Sequence, residues 1–300
     1  MAGLPCPVKP PGLQPGHAGS VIRVYTGAAI SAFAAPDSTQ ARVRAFLPGM
    51  RAGWVLITIS LWLMAAAQGL AQTVTAHRLN DFGLITVASA EGETLTLRLA
   101  GIELPRDGTP GHGLAMQFID SQLDGQTVTL LSGREERLDR FGNLIGDLDL
   151  GGQTLAALLV REGYAMAYSW PDTREAAARL LPLEAEARQA GRGLWGAGVF
   201  EIRTPEPNTL ALYLETVQIV EGRVISIGDT RDRLYLNFGF DYRTDFTVSI
   251  EQGDIARFEE AGLDLRALEG RIVRVRGWIQ AINGPSISVD HPERIEVLTP

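Results

Sequence analysis

Apolar and polar positions follow two periods along the chain. β-Branched and apolar residues dominate 84–90 and 94–102, with Glu91, Gly92 and Glu93 between them, which predicts two strands joined by a turn. The period then lengthens. Leu114, Ala115, Phe118, Ile119 and Leu123 fall mostly on one side of a helix over 113–123, ended by Asp124 and Gly125. Residues 127–131 and 144–150 read as further strands. Residues 154–162 read as a helix with Leu155, Leu158 and Leu159 inward, stopped near Gly163. A longer amphipathic helix is predicted over 173–190, with Thr173 capping its start and Gly191 its end. Pro182 inside it predicts a break or kink.

A Pro-bearing stretch at 203–209 reads as a linker between a unit at 72–202 and another at 210–300. Past it, strands are predicted at 216–227, 234–240 and 245–250, a helix at 254–268, and strands at 271–279 and 286–289. Three strands, a helix and two strands is the order of a five-stranded Greek-key barrel of the OB type. Alternation puts Leu234, Leu236, Phe238 and Phe240 on one face, with Phe246, Val248 and Ile250 sharing a face in the next strand. These aromatic residues are expected in a core, and Tyr235 and Asn237 outside it.

The first seventy residues differ in character. Residues 1–49 are rich in Pro, Gly and Ala without periodicity, and an extension from an upstream start is expected there. Met50 and Arg51 precede an uncharged apolar run at 52–67, and small residues Gly69 and Ala71 stand before Gln72. A short basic start, an apolar run and a small-residue exit predict a secretory signal peptide over 50–71. Export, to a periplasm, is the expectation; an uncleaved N-terminal membrane anchor is the alternative.

With 300 residues, 45% hydrophobic and 21% charged, the chain has the composition of about two globular domains. Cys6 is the sole cysteine, which excludes an internal disulfide framework and a cysteine-based zinc cluster. The histidines at 17, 77, 112 and 291 lack ligand-like spacing. Net charge is −8, and loss of 1–71 would remove five basic residues and one acidic. That balance disfavours general nucleic-acid binding, which depends on basic residues neutralising phosphates.

Candidate chemistry concentrates in Arg98-Leu-Ala-Gly-Ile-Glu103-Leu-Pro105, where a basic residue on a strand is followed by an acidic one where the strand runs out. With Asp139-Arg140-Phe141-Gly142 and Gly191-Arg192-Gly193-Leu194-Trp195, this segment resembles the staphylococcal nuclease (thermonuclease) family over about residues 78–197. The resemblance implies a mainly β fold with α: an OB barrel with three helices, here followed by a second five-stranded OB-like barrel. It also implies calcium-dependent cleavage of DNA or RNA, with two arginines on the scissile phosphate, carboxylates on the ion and a glutamate as general base. A cation and guanidinium groups stabilise the charge that builds on the phosphoryl oxygens.

The chain departs from that pattern. Arg98 matches the first phosphate-binding arginine, and Glu103 takes the place of a calcium-binding aspartate. Leu104 replaces a threonine that gives only a backbone carbonyl. Arg106 falls at the base glutamate and reverses its charge, while Asn143 falls where the second arginine is expected. Asparagine cannot supply a charged, forked donor to phosphate. The family's early Asp-Gly-Asp-Thr is imitated by Glu91-Gly92-Glu93-Thr94 but lies only five residues before Arg98, leaving Glu93 as a weak second metal carboxylate. Asp107 could stand in for the base with a one-residue shift. Arg98 could equally be structural, pairing with Glu103 or Asp147.

The expectation is a degenerate nuclease domain, a pseudoenzyme, acting as a binding or scaffold module for a protein, peptide or glycan of the cell envelope. Calcium is expected only if activity survives in a rearranged site. The third alternative is a non-catalytic nucleic-acid binder using Arg274 and Arg276, which share a strand face in the second barrel, although a solvated face is the simpler reading.

Overall fold

The computed structural model describes residues 71–298 apart from 79, 81, 91, 125 and 133–137; the extension predicted at 1–49 and all but the last residue of the leader predicted at 50–71 lie outside the described residues. Among the described residues no helix is long and apolar enough to cross a membrane.

The first unit is a closed barrel of β1 (Ala71–Arg78), β2 (Ile85–Ala88), β3 (Thr94–Leu99), β5 (Thr127–Ser132) and β6 (Leu144–Asp149). Its order is β1-β2-β3-β6-β5, with β3 and β6 parallel and β5 returning to pair with β1. Period-two alternation sends Val87, Leu97, Val128 and Leu148 inward, where all are buried. Between β3 and β5 runs α1 (His112–Leu123), which buries Ala115, Met116, Ile119 and Leu123. A two-stranded ribbon, β4 (Ile102–Glu103) with β7 (Met166–Ala167), lies outside the barrel.

Two more main helices, and after them a single helical turn, follow in the unit. At α2 (Leu155–Arg161) the Thr154 side chain accepts a hydrogen bond from Ala157 N, and Gly163 ends the helix region at φ 76°. α3 (Arg174–Gln189) runs unbroken through Pro182, so the predicted break is absent. Thr173 does not cap α3 as predicted, because its hydroxyl accepts from Trp170 N instead. After α3, Gly191 at φ 60° and Gly193 at φ 50° turn the chain into α4 (Gly193–Gly196). A Cβ on Gly193 would meet the Glu162 carbonyl and one on Gly163 the Arg192 carbonyl, so the two turns pack backbone to backbone. Trp195 is buried.

Residues 203–209 are not a free linker. β8 (Ile202–Arg203) pairs in parallel with β9 (Val217–Arg223), and Glu206 accepts bonds from Asn208 N and Thr209 N to cap α5 (Pro207–Leu210). Pro207, one of the two prolines that suggested a linker, starts a helix instead.

The second unit comprises β9, β10 (Ser226–Asp229), β11 (Arg233–Asn237), β12 (Thr247–Glu251), β13 (Ile272–Ala281), β14 (Pro285–Ser288) and β15 (Ile295–Leu298). Its path is β10-β11-β12-β14-β13-β9, with β12 and β14 parallel. With β8 beside β9 and β15 beside β13, this is an eight-stranded sheet and not the closed five-stranded barrel predicted; β9 and β10 are consecutive, so one bent stretch of chain stands at both ends of the path and the unit is at most an open barrel. The predicted helix at 254–268 shortens to α6 (Ile255–Glu260), stopped by Gly262 at φ 80°, with a separate 3-10 turn at Leu265–Leu268. Leu234, Leu236, Phe238, Phe246, Val248 and Ile250 are buried as predicted. Phe240 is not: β11 ends at Asn237, and Phe240 stands 96% exposed beyond it.

The two barrels share an apolar cluster. Met166, Tyr168, Trp195 and Phe200 of the first pack with Val217 and Ile219 of the second. Polar contacts reinforce it. Arg174 makes a two-pronged pair with Glu293 at 2.8 and 3.0 Å, and Arg294 donates to the Ser169 carbonyl at 2.7 Å. His291 lies 2.6 Å from both Asp290 Oδ1 and Ser169 Oγ. That serine–histidine–aspartate relay has Ser169 and His291 wholly buried, so it joins the barrels and offers no nucleophile to solvent.

Candidate functional site

Inward Leu97 and Leu99 turn Arg98 of β3 to the outer face of the barrel, where its Nε lies 3.3 Å from Asp139 Oδ2. Neither alternative partner, Glu103 or Asp147, makes this contact: Asp147 instead accepts from Leu148 N and Ala156 N at the start of α2. The Asp139-to-Gly142 segment is a turn closed by the bridge Leu138↔Leu144, with Gly142 at φ 82°. Asp139 organises it. Oδ1 accepts from Phe141 N and Asn143 N at 2.9 Å each, and Oδ2 accepts from Asn143 Nδ2 at 3.0 Å. Burial would raise the Asp139 pKa, but the bonds from Asn143 and Phe141, with the Arg98 charge, hold it below the usual carboxylate range. Asn143 is thus bound inward to the turn rather than presented as a donor.

Glu103 sits on β4, about four-fifths buried, with Arg106 Nε 3.9 Å from its Oε1. Burial pushes its carboxyl up to about 7, against the opposing pull of Arg106 and Arg98. Arg106 is held from the far side by the second barrel. Its guanidinium lies 3.8 Å from the centre of the Trp278 ring, and Nη1 donates to the Glu215 carbonyl at 3.3 Å. Glu215 takes a left-handed φ of 62°, uncommon for a residue with a side chain. A cation fixed this way cannot serve as a general base.

The other carboxylates do not converge. Glu93 is exposed in the turn before β3, where its carbonyl accepts from Ser89 N. Asp107 is exposed, 3.8 Å from His112 Nδ1 at the start of α1. Among the described residues no three His, Cys, Asp or Glu side chains gather to hold a metal ion. Calcium takes six to eight oxygens, mostly from carboxylates and carbonyls. Glu103, with guanidinium groups as its charged neighbours, does not fit that donor set.

Arg274 and Arg276 correct the sequence reading most sharply. They form neither a nucleic-acid surface nor a solvated face. Arg274 pairs with Glu221 at 2.7 Å and Glu296 at 3.1 Å; Arg276, 2% exposed, pairs with Glu184 at 3.0 Å and Glu296 at 2.6 Å. α3 reaches over the strand face that alternation had left open, and β15, paired beside β13, adds Glu296 next to the two arginines. Trp278 was missed as a neighbour of the site because only the packing of the second unit on the first brings it to Arg106.

A barrel in the OB strand order, three helices, and an arginine strand leading to an acidic ribbon define a nuclease-type fold. The comparisons agree. Residues 96–197 match the Staphylococcal nuclease homologue family, and the chain carries a domain of that nuclease-like family. It is 31% identical over 101 residues to "Staphylococcal-like nuclease CAN1" of Arabidopsis thaliana, covering 34% of this chain and 29% of that protein. It is 27% identical over 122 residues to "Probable staphylococcal-like nuclease CAN1" of Oryza sativa subsp. japonica, covering 39% and 35%. An uncharacterized protein of Bacillus anthracis is 25% identical over 114 residues, covering 36% and 53%. The chain thus spans about a third to a half of the length of these relatives.

Proposed function

We propose that the protein is an exported nuclease-fold module that binds or scaffolds a partner of the cell envelope and does not cleave phosphodiesters. The observation that carries this reading is the turn in which Asn143 replaces a charged donor and is itself consumed by Asp139. Arg106, clamped between Glu103 and Trp278, supports it by removing the base. Each lost transition-state contact of this kind costs roughly a hundred- to thousandfold in rate. Export rests on the signal-like composition of 50–71. Calorimetric titration of the full chain with calcium is the test. The reading expects no saturable heat; stoichiometric binding lost in Glu103→Gln would overturn it.

A calcium-dependent phosphodiesterase with a rearranged site is the second reading. One observation favours it: a carboxyl poised at about 7, as at Glu103, is in the range of a general acid or base. The names of the plant relatives point the same way.

A further inference from the structure

Ala167 of β7 lies on the outer edge of the ribbon that carries Glu103, and the edge is closed without a third strand. Its N–H donates to Glu184 Oε2 of α3 at 2.8 Å, and its carbonyl accepts from Arg276 Nη1 of β13 at 2.7 Å. Glu184 and Arg276 bond to each other at 3.0 and 3.1 Å. A carboxylate and a guanidinium, locked together, therefore offer Ala167 the acceptor and donor that a neighbouring strand would offer. The pair is 1% and 2% exposed, so water cannot substitute for it. Opposite Ala167 in the ribbon is Ile102, and the next pair is Glu103 with Met166. A few residues on, the second barrel also holds Arg106 through Trp278 and Glu215.

We propose that the second barrel is an intramolecular clamp on the Glu103 ribbon, with Arg276 as the positioning residue that completes the ribbon's open edge. The clamp exists whether or not the site cleaves, so it stands apart from the proposed function. It gives the C-terminal barrel a defined structural role. A two-residue strand pair, too short to hold itself, is fixed in place from another domain. A change in how the barrels dock would then be felt first at Glu103.

Hydrogen exchange on the full chain tests this, read at single amides. Arg276→Met alone leaves the buried Glu184 with Arg188, at 3.4 Å, as its remaining ion-pair partner and risks unfolding. The informative variant is Arg276→Met with Glu184→Met, an apolar pair in the same space. The clamp predicts that exchange at Ala167 and Glu103 quickens at least a hundredfold while Leu97 and Val275, in the barrel cores, keep their wild-type rates. Arg276→Lys, which keeps the charge with a smaller donor, should fall between. Ala167 exchange within threefold of wild type would overturn the proposal. So would a uniform rise through both barrels, in either variant, because Arg276 would then support the fold as a whole.

Discussion

Asn143 and Asp139 bind each other twice, through Asn143 N to Oδ1 at 2.9 Å and Asn143 Nδ2 to Oδ2 at 3.0 Å. The same Asp139 carboxylate is the partner of Arg98, at 3.3 Å. A position that should reach outward to a phosphate is instead folded into a turn, and the remaining arginine is neutralised by that turn.

Asn143→Ala should therefore cost stability. Losing a side-chain bond to a charged acceptor is worth about 1.5–3 kcal/mol, less where solvent reaches the site. Urea denaturation should show a loss of about 1 kcal/mol. An unchanged midpoint would mean that the bond contributes nothing.

The barrel strands and the three helices of the first unit were legible because alternation and helical period survive in Leu97, Leu148, Ile119 and Leu155. The motif residues Gly191 and Gly193 were legible because left-handed turns favour glycine. The pairing of Arg98 with Asp139 was not, since the turn at 139–143 folds the partner back from far along the chain. Arg274 and Arg276 were misread for a related reason. Alternation tells which residues share a face but not what covers it, and here α3 does, with Glu296 supplied by the neighbouring strand β15.

The pH dependence of stability should carry the mark of Glu103. Its carboxyl is raised from 4.5 to about 7 by burial, so the folded state binds its proton more tightly than the unfolded state does. That contribution is fully present below pH 4.5 and is lost as pH rises to about 7. A rise of that size corresponds to about 3 kcal/mol at most. Glu103→Gln should gain stability relative to wild type between pH 5 and pH 8; a pH-independent difference would contradict the raised value.

Arg106→Ala should weaken the docking of the barrels. A half-exposed guanidinium over a tryptophan ring is worth about 1 kcal/mol. Thermal unfolding should occur a few degrees lower, with changed tryptophan emission from Trp278. No change in either would remove Arg106 from the interface.

Gly163→Ala should be far more damaging. At φ 76° a side chain is strained, and its Cβ would strike the Arg192 carbonyl. A loss above about 2 kcal/mol is expected by urea denaturation, and a loss below about 0.5 kcal/mol would mean the turn pair yields easily.

The most direct measurement is cleavage of single-stranded DNA by the full chain with calcium, beside Arg98→Ala. The account predicts no cleavage above a protein-free blank and no difference between the two proteins. Calcium-dependent cleavage that Arg98→Ala abolishes would contradict it and return Arg98, Glu103 and their neighbours to a working site.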